Sequence, residues 1–156
     1  MASDRPFVAT TVALGAAALA HAAWTWPTDA VAAFFAGGAV VVFAAEAVVV
    51  NAGWLEHHVH PKILGVPLYV VPGWLGAVYL WFRIALLAAD GWPAVALCAV
   101  LAAGYDALTD HRGVEAGRWT YTDDLPGPRY RDVPWWNYAG WLAISAVTAG
   151  LAVPFL

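Results

Sequence analysis

The stretch AVAAFFAGGAVVVFAAEAVVVNA, residues 30–52, decides the fold class of this chain. An α-helix needs roughly 20 consecutive apolar residues to cross a hydrocarbon core about 30 Å thick, and this stretch is long enough to do so. Its one ionisable residue, Glu46, lies about six residues from its C-terminal end, a depth of roughly 9 Å at 1.5 Å per residue. We therefore predict a membrane-spanning helix with a carboxyl group inside it.

The whole chain has the composition of an integral membrane protein. Of its 156 residues, 62% are hydrophobic and 12% are charged, and the mean hydropathy is +0.66, which is not typical of soluble domains. Further apolar stretches lie near residues 7–24, 70–89, 92–109 and 134–155. We predict an all-α polytopic membrane helix bundle of about five transmembrane helices, forming a single transmembrane domain over residues 1–156.

The connections between these stretches are of two kinds. Two are short, so the first and second spans, and the third and fourth, are expected to be antiparallel neighbours. The other two, residues 53–66 and 110–133, are longer, polar and contain most of the basic residues. Cytoplasmic loops carry an excess of Lys and Arg. We therefore predict a multi-pass protein of the cell membrane with both polar loops and the N-terminus in the cytoplasm.

Charge and cysteine content exclude several classes of function. The net charge of −4, with no basic stripe, argues against a nucleic-acid partner. Cys98 is the single cysteine and lies in an apolar run, so a disulfide framework and a cysteine zinc site are not expected. No phosphate-binding glycine loop is recognisable, and we expect no organic cofactor.

Polar side chains within or beside the predicted spans are the candidate site residues. An ionisable residue near the bilayer centre costs at least about 2.5 kcal/mol on insertion scales, which favours a functional role. Asp106 and Asp110 are four residues apart and share one helix face. Two neighbouring carboxylates repel each other when both are ionised, so the two can act as an acid and base pair. Asn137 can orient a water or a carboxylate. The alternatives are a structural ion pair for Glu46 and a solvated helix end at Asp110.

Two other features have more than one interpretation. Arg83, in the third span, either extends outward toward Asp90 or pairs with Glu46 across the bundle. The loop histidines and His111 form a weak metal-site alternative. They lack the helical spacing of a His-Glu-x-x-His site, and a solvated interfacial loop explains them better. The loop histidines are His57, His58 and His60.

Three segments, taken in order, carry a resemblance to a known family. They are ILGVPLYVVPGW at residues 63–74, YDALTDHRGVEAGRWTY at 105–121 and VPWWNYAGW at 133–141. Together with the membrane glutamate upstream, they resemble the carotenoid biosynthesis membrane proteins that include bisanhydrobacterioruberin hydratase and γ-carotene 1,2-hydratase. From Glu46 to Trp141 the matching features span about two thirds of this chain, which resembles a short member of that family.

The resemblance implies addition of water to the terminal C1=C2 double bond of an acyclic carotenoid. It implies a hydrophobic polyene or isoprenoid substrate in contact with membrane lipid, and catalytic roles for the four polar residues above. It also implies aromatic side chains that bind the substrate and stabilise a carbocation. These are Trp74, Tyr105, Trp119, Trp135, Trp136 and Trp141.

Other functions and assemblies stay open at this point. One alternative function is a non-catalytic membrane subunit that binds a carotenoid or lipid. Another is a metal-dependent membrane enzyme. Glycine-rich helix faces allow a homodimer, and other enzymes of the same pathway are further candidate partners.

Overall fold

The computed structural model describes residues 4–156 and is mostly helical. The second span contains a wide π-helical turn, Ala33–Gly37, that joins α2 to α3 without a break. The fourth span continues past Thr109 into the short helix α6. The helices are α1 (Arg5–Thr25), α2 (Thr28–Ala32), α3 (Gly38–Asn51), α4 (Val70–Ala85), α5 (Gly91–Thr109), α6 (His111–Glu115) and α7 (Trp135–Ala152), which ends in a 3-10 turn, Val153–Phe155.

Four helical segments are long and apolar enough to cross a membrane. They are Arg5–Thr25, Thr28–Asn51, Gly91–Glu115 and Trp135–Phe155. The prediction of a membrane helix bundle is confirmed to this extent. Helix α4 is also apolar, but with 16 residues it is shorter than these four and ends before the predicted residue 89.

Helix α1 packs mainly against α4, and the two run parallel. Gly73 of α4 faces Thr11, Gly76 faces Leu14, and Tyr79 approaches His21, so both sequences advance in the same direction. The sequence predicted that the first and second spans are neighbours; α1 does contact α2, but its main partner is α4. Small residues explain the pairing, because they let two helix backbones approach closely where no hydrophobic drive exists between helices in lipid.

Helix α4 separates α1 from α5, and α5 packs in turn against α7. The predicted pairing of the third and fourth spans is confirmed. Helices α5 and α7 are antiparallel, since Trp92 lies against Gly150 while Asp106 contacts Asn137. The second span closes the bundle against α4 and α7.

The two polar loops fold over one end of the bundle as short antiparallel strand pairs. The strands are β1 (Leu55–His57) with β4 (Trp119–Tyr121), β2 (Lys62–Ile63) with β3 (Val66–Pro67), and β5 (Arg129–Tyr130) with β6 (Val133–Pro134). The β1–β4 pair joins one loop to the other, and Arg118 bonds to Asp4 at 3.2 Å. The start of α1 and both loops therefore lie at the same end, which we call the loop end.

Arg83 lies at the opposite end and adopts neither predicted arrangement. Its guanidinium donates to Oγ1 of Thr25 at 2.8 Å and to the hydroxyl of Tyr79 at 3.4 Å. It forms no ion pair with Asp90 or Glu46 within the described residues. The parallel packing of α1 on α4 is the reason, because it brings Thr25 to the last turn of α4.

Candidate functional site

A cavity of about 500 Å³ lies at the loop end, enclosed by α1, α3, α4, α5 and α7. The strand pair β1–β4 crosses over it and forms a roof, because Leu55, His57, Trp119 and Tyr121 all line it. The four predicted catalytic residues also line it. They are Glu46, Asp106, Asp110 and Asn137. Residues from several different helices thus meet around one volume.

Glu46 enters the cavity from α3, and both of its carboxyl oxygens have partners. Nε2 of His57 hydrogen-bonds to Oε2 at 3.2 Å, and the indole N–H of Trp74 donates to Oε1 at 3.0 Å. Glu46 is 9% exposed and His57 5%. A buried charge needs such partners to be tolerated. The partners also fix the direction of the carboxyl group.

Asp106 lies on α5 and Asp110 follows one turn later, between α5 and α6, and each accepts a hydrogen bond from a neighbouring side chain. Asn137 of α7 donates to Oδ2 of Asp106 at 2.7 Å, and the hydroxyl of Tyr121 donates to Oδ2 of Asp110 at 2.9 Å. The helical segment continues to Glu115. Asp110 is therefore not a solvated helix end, and its side chain faces the cavity instead.

Two tyrosines that line the cavity, Tyr121 in the roof and Tyr69, are held in their protonated form. Burial raises the pKa of Tyr121 well above its ordinary value, and the nearby charges of Asp110 and Asp106 raise it further. Burial likewise raises the pKa of Tyr69, followed by the charge of Glu46. Tyr121 therefore remains a hydrogen-bond donor to Asp110 across the neutral pH range.

Aromatic rings form the walls of the cavity. Trp74 stacks on Trp141 with ring centroids 3.5 Å apart and an interplanar angle of 13°. Trp119 of the roof lies 6.3 Å from Phe7, and Tyr105 stands at the edge of the cavity with 42% of its surface exposed. Four of the six predicted substrate-binding aromatic residues therefore line it.

The other two, Trp135 and Trp136, lie outside the cavity. Trp135 is 46% exposed and donates its indole N–H to the carbonyl of Pro126. Trp136 packs against Trp54 and Tyr121. Both follow directly after Pro134, and the first turn of α7 directs them to the loops rather than inward.

The histidines of the predicted metal alternative do not converge on one point. Along residues 55–60, buried and exposed positions alternate as on a strand, so His57 points inward while His58 and His60 point outward. His58 bonds to Thr120 instead, and His111 bonds to Arg131. Within residues 4–156, no group of three or more His, Cys, Asp or Glu side chains has the arrangement of a metal site.

The cavity also has polar residues that are not among the predicted catalytic residues, and His57, Tyr69 and Tyr121 are examples. His57 belongs only to the metal alternative, and Tyr69 and Tyr121 belong to neither set. In the sequence, His57 alternates with the apolar residues Leu55 and Val59, and this pattern indicates that His57 lies on the buried side of a strand. The position of Tyr121 in the cavity depends on the pairing of β4 with a strand more than sixty residues away.

Comparisons with protein-family models, curated proteins and solved structures returned no match to this chain. Function must therefore be argued from the chemistry of the cavity itself. That chemistry consists of buried carboxyl groups, neutral hydrogen-bond donors and indole rings around an open volume.

Proposed function

We propose that this chain is a membrane enzyme that adds water to the terminal C1=C2 double bond of an acyclic carotenoid. One observation carries the proposal: three carboxyl groups, on Glu46, Asp106 and Asp110, face a single cavity whose walls are largely aromatic. Hydration of an alkene needs a proton donor, a proton acceptor and a means of stabilising a cation. The cavity offers a residue for each.

The first step is transfer of a proton to C2 of the double bond. Asp106 and Asp110 lie one helical turn apart, and two carboxylates at this separation repel each other, so one of them keeps its proton. That protonated member serves as the general acid. Its proton forms the new C2–H bond and the π electrons leave C1 as a tertiary cation.

The second step is stabilisation of that cation. Trp74 and Trp141 present indole faces, which attract a cation through the quadrupole of the ring. The carboxyl group of Glu46, held by His57 and Trp74, lies on the same side of the cavity. These groups act most strongly on the charge that develops during the reaction.

The third step is attack of water on C1. The ionised member of the aspartate pair takes one proton of that water, and the oxygen forms the new C1–O bond. The product is a tertiary alcohol. The pair again holds one proton, so the reaction consumes only water and the alkene. Asn137, bonded to Asp106 at 2.7 Å, keeps that carboxyl group in place.

The orientation in the membrane is part of the proposal. Six of the seven Lys and Arg residues lie at the loop end, and Arg83 is the exception. An excess of basic residues is typical of cytoplasmic loops. The proposed site therefore opens near the cytoplasmic face, and water reaches it from that side.

The test is expression of the full chain in cells that accumulate lycopene, followed by chromatography and mass spectrometry of the pigments. The wild-type chain is expected to give a product heavier by one water. Asp106→Asn is expected to reduce its formation by about 10²- to 10⁴-fold, the usual contribution of a general acid or base. Asp124→Asn is the matched control, because Asp124 is an exposed residue of the polar loop.

Other outcomes lead to other conclusions. Unchanged lycopene that co-purifies with the wild-type chain would favour the non-catalytic carotenoid-binding subunit. Equal conversion by the wild type and Asp106→Asn would remove the aspartate pair from the mechanism. If the wild-type chain neither converted lycopene nor co-purified with it, a carotenoid function would be rejected altogether.

A further inference from the structure

The cavity has an open side between α1 and α5. Residues one turn apart on three helices line it there, and each pair occupies one face of its helix. The pairs are Thr10 and Leu14 on α1, Gly73 and Ala77 on α4, and Tyr105 and Thr109 on α5. The outer pairs are partly exposed, with Leu14 at 39% and Tyr105 at 42%. The small residues of α4 form the floor between them.

This floor continues along α4, away from the loop end. Residues 73, 77, 80 and 84 fall on one helix face. Their surroundings change from buried to open, since Ala77 is 7% exposed, Leu80 47% and Ile84 39%. On the side of the groove next to α5, Trp81 of α4 packs against Tyr105. From Gly73 to Ile84 the groove is about 16 Å long at 1.5 Å per residue.

The opposite side of the cavity has a different character. The roof strands β1 and β4 lie over it, and Arg118 joins the roof to the start of α1 through Asp4 and through the ring of Phe7, at 4.0 Å. A long apolar molecule arriving from water would have to displace these polar contacts. The groove between α1 and α5 instead faces the level of the acyl chains, where such a molecule dissolves.

We propose that this groove, lined by Leu14, Ala77, Leu80, Ile84 and Tyr105, admits one end of a linear isoprenoid or polyene chain sideways from the bilayer. The inference rests on the proposed function and extends it to the route by which the substrate enters and to the part of the substrate that the protein contacts. The chain lies along α4 with its terminal double bond among the carboxyl groups. The groove is about 16 Å long and the hydrocarbon core about 30 Å thick, so the remainder of the chain stays in lipid.

A consequence concerns which substrates are accepted. Residues of the groove contact only the reactive end and the part of the chain next to it. Chains with the same linear end and different total lengths should therefore bind alike, whereas a chain that ends in a ring should be excluded by the narrow floor between α1 and α5.

The test compares two tryptophan substitutions on α1. Leu14→Trp narrows the groove at its edge, and Leu19→Trp is the matched control, because Leu19 is 45% exposed on the same helix and does not line the cavity. Both positions are partly exposed, so both variants should fold. Each chain is purified from lycopene-accumulating cells, and the lycopene bound per mole of protein is measured by absorbance. Leu14→Trp is expected to lower it at least about tenfold, which corresponds to roughly 1.4 kcal/mol, while Leu19→Trp retains the wild-type value.

A second measurement addresses chain length. Squalene, a shorter linear isoprenoid, should compete with lycopene for the wild-type chain, and the two-ringed β-carotene should not. Equal lycopene content in the wild type and both variants would overturn the groove. Loss of binding in Leu14→Trp without any hydrated product in the wild type would keep the groove and reject the hydratase. Hydrated product at equal rates in all three chains would reject the groove and keep the hydratase. A wild-type chain that contains neither lycopene nor its hydrated product would reject both.

Discussion

The two ends of the bundle place polar side chains in opposite surroundings. At the far end, the guanidinium of Arg83 bonds to Thr25 and Tyr79 and lies 6.0 Å from the ring of Trp26. Tyr79 and Trp26 in turn contact the core ring of Phe34. At the loop end, three carboxyl groups with neutral donors surround a volume of about 500 Å³. The first set is packed against other side chains, and the second is arranged around space.

This difference separates stabilising polar groups from candidate catalytic ones. Polar groups that only hold helices together have no reason to face an open volume, because packing contributes more where no void is left. Carboxyl groups at a cavity instead leave room for a reacting molecule. Substitutions at the loop end should thus change activity, and substitutions at the far end should change only stability.

Among the substitutions that test this difference between the two ends, His57→Phe is expected to have the largest effect. The ring is kept, but the hydrogen bond from Nε2 to Glu46 is lost. A hydrogen bond to a charged group is worth about 1.5–3 kcal/mol, so formation of the hydrated product should fall roughly 10- to 100-fold. The rate is measured from pigments extracted at fixed times after induction.

His58→Phe is the control, since the next residue points away from the cavity and bonds to Thr120. Its activity should stay within about twofold of the wild type, because surface substitutions usually change free energies by no more than about 0.5 kcal/mol. Equal losses in both variants, together with inactivation by a chelator, would instead favour the metal alternative.

A smaller effect is expected from Gly113→Ala, which tests the roof. A Cβ atom at Gly113 would collide with the indole ring of Trp119, so the ring would have to move. Overpacking of this kind destabilises by about 1–3 kcal/mol. The melting temperature in detergent, followed by circular dichroism, should drop, and activity should fall with the displacement of Trp119.

Gly104→Ala is the matched substitution on α5. A Cβ atom added there would meet no heavy atom within 4 Å, and alanine is favoured over glycine in a helix by about 1 kcal/mol. The melting temperature should therefore rise slightly. If Gly113→Ala behaved in the same way, the close contact between α6 and the roof would be wrong.

The smallest effect is expected from Arg83→Gln at the far end. The substitution removes the charged donor to Thr25 and Tyr79, and the free energy of unfolding should fall by about 1 kcal/mol, as for a typical hydrogen bond. Product formation should not change. A loss of activity larger than the loss of folded protein would show that the two ends are coupled, and would contradict the separation drawn above.

The sequence predicted the helices well because hydropathy and length determine where a membrane helix can lie. Residues 30–52 and 92–109 correspond closely to Thr28–Asn51 and Gly91–Thr109. It did not predict that α1 packs mainly on α4. Lipid tails are as apolar as leucine, so the hydrophobic pattern carries no information on which helices touch. That information lies in small residues such as Gly15 and Gly76, whose partners cannot be read from one sequence.

The candidate site was predicted in part for a similar reason. Glu46, Asp106, Asp110 and Asn137 could be found because a polar residue in an apolar helix is conspicuous. His57 and Tyr121 could not be placed with them, since each lies in a polar loop where such residues are common. Their position depends on the pairing of β1 with β4, a contact between distant parts of the chain.

That pairing, together with the bond between Asp4 and Arg118, has a consequence for how the protein is made. These two residues are separated by 114 positions, and ribosomes release a chain from its N-terminus onward. The contact between Asp4 and Arg118 can therefore form only after the helices before Arg118 have been made. The contact between Asp106 and Asn137 forms later still, once α7 has begun. Until β4 has been made, the cavity has no roof, and until Asn137 has been made, the carboxyl group of Asp106 has no amide partner. The cavity is therefore completed only after the start of α7 has been synthesised.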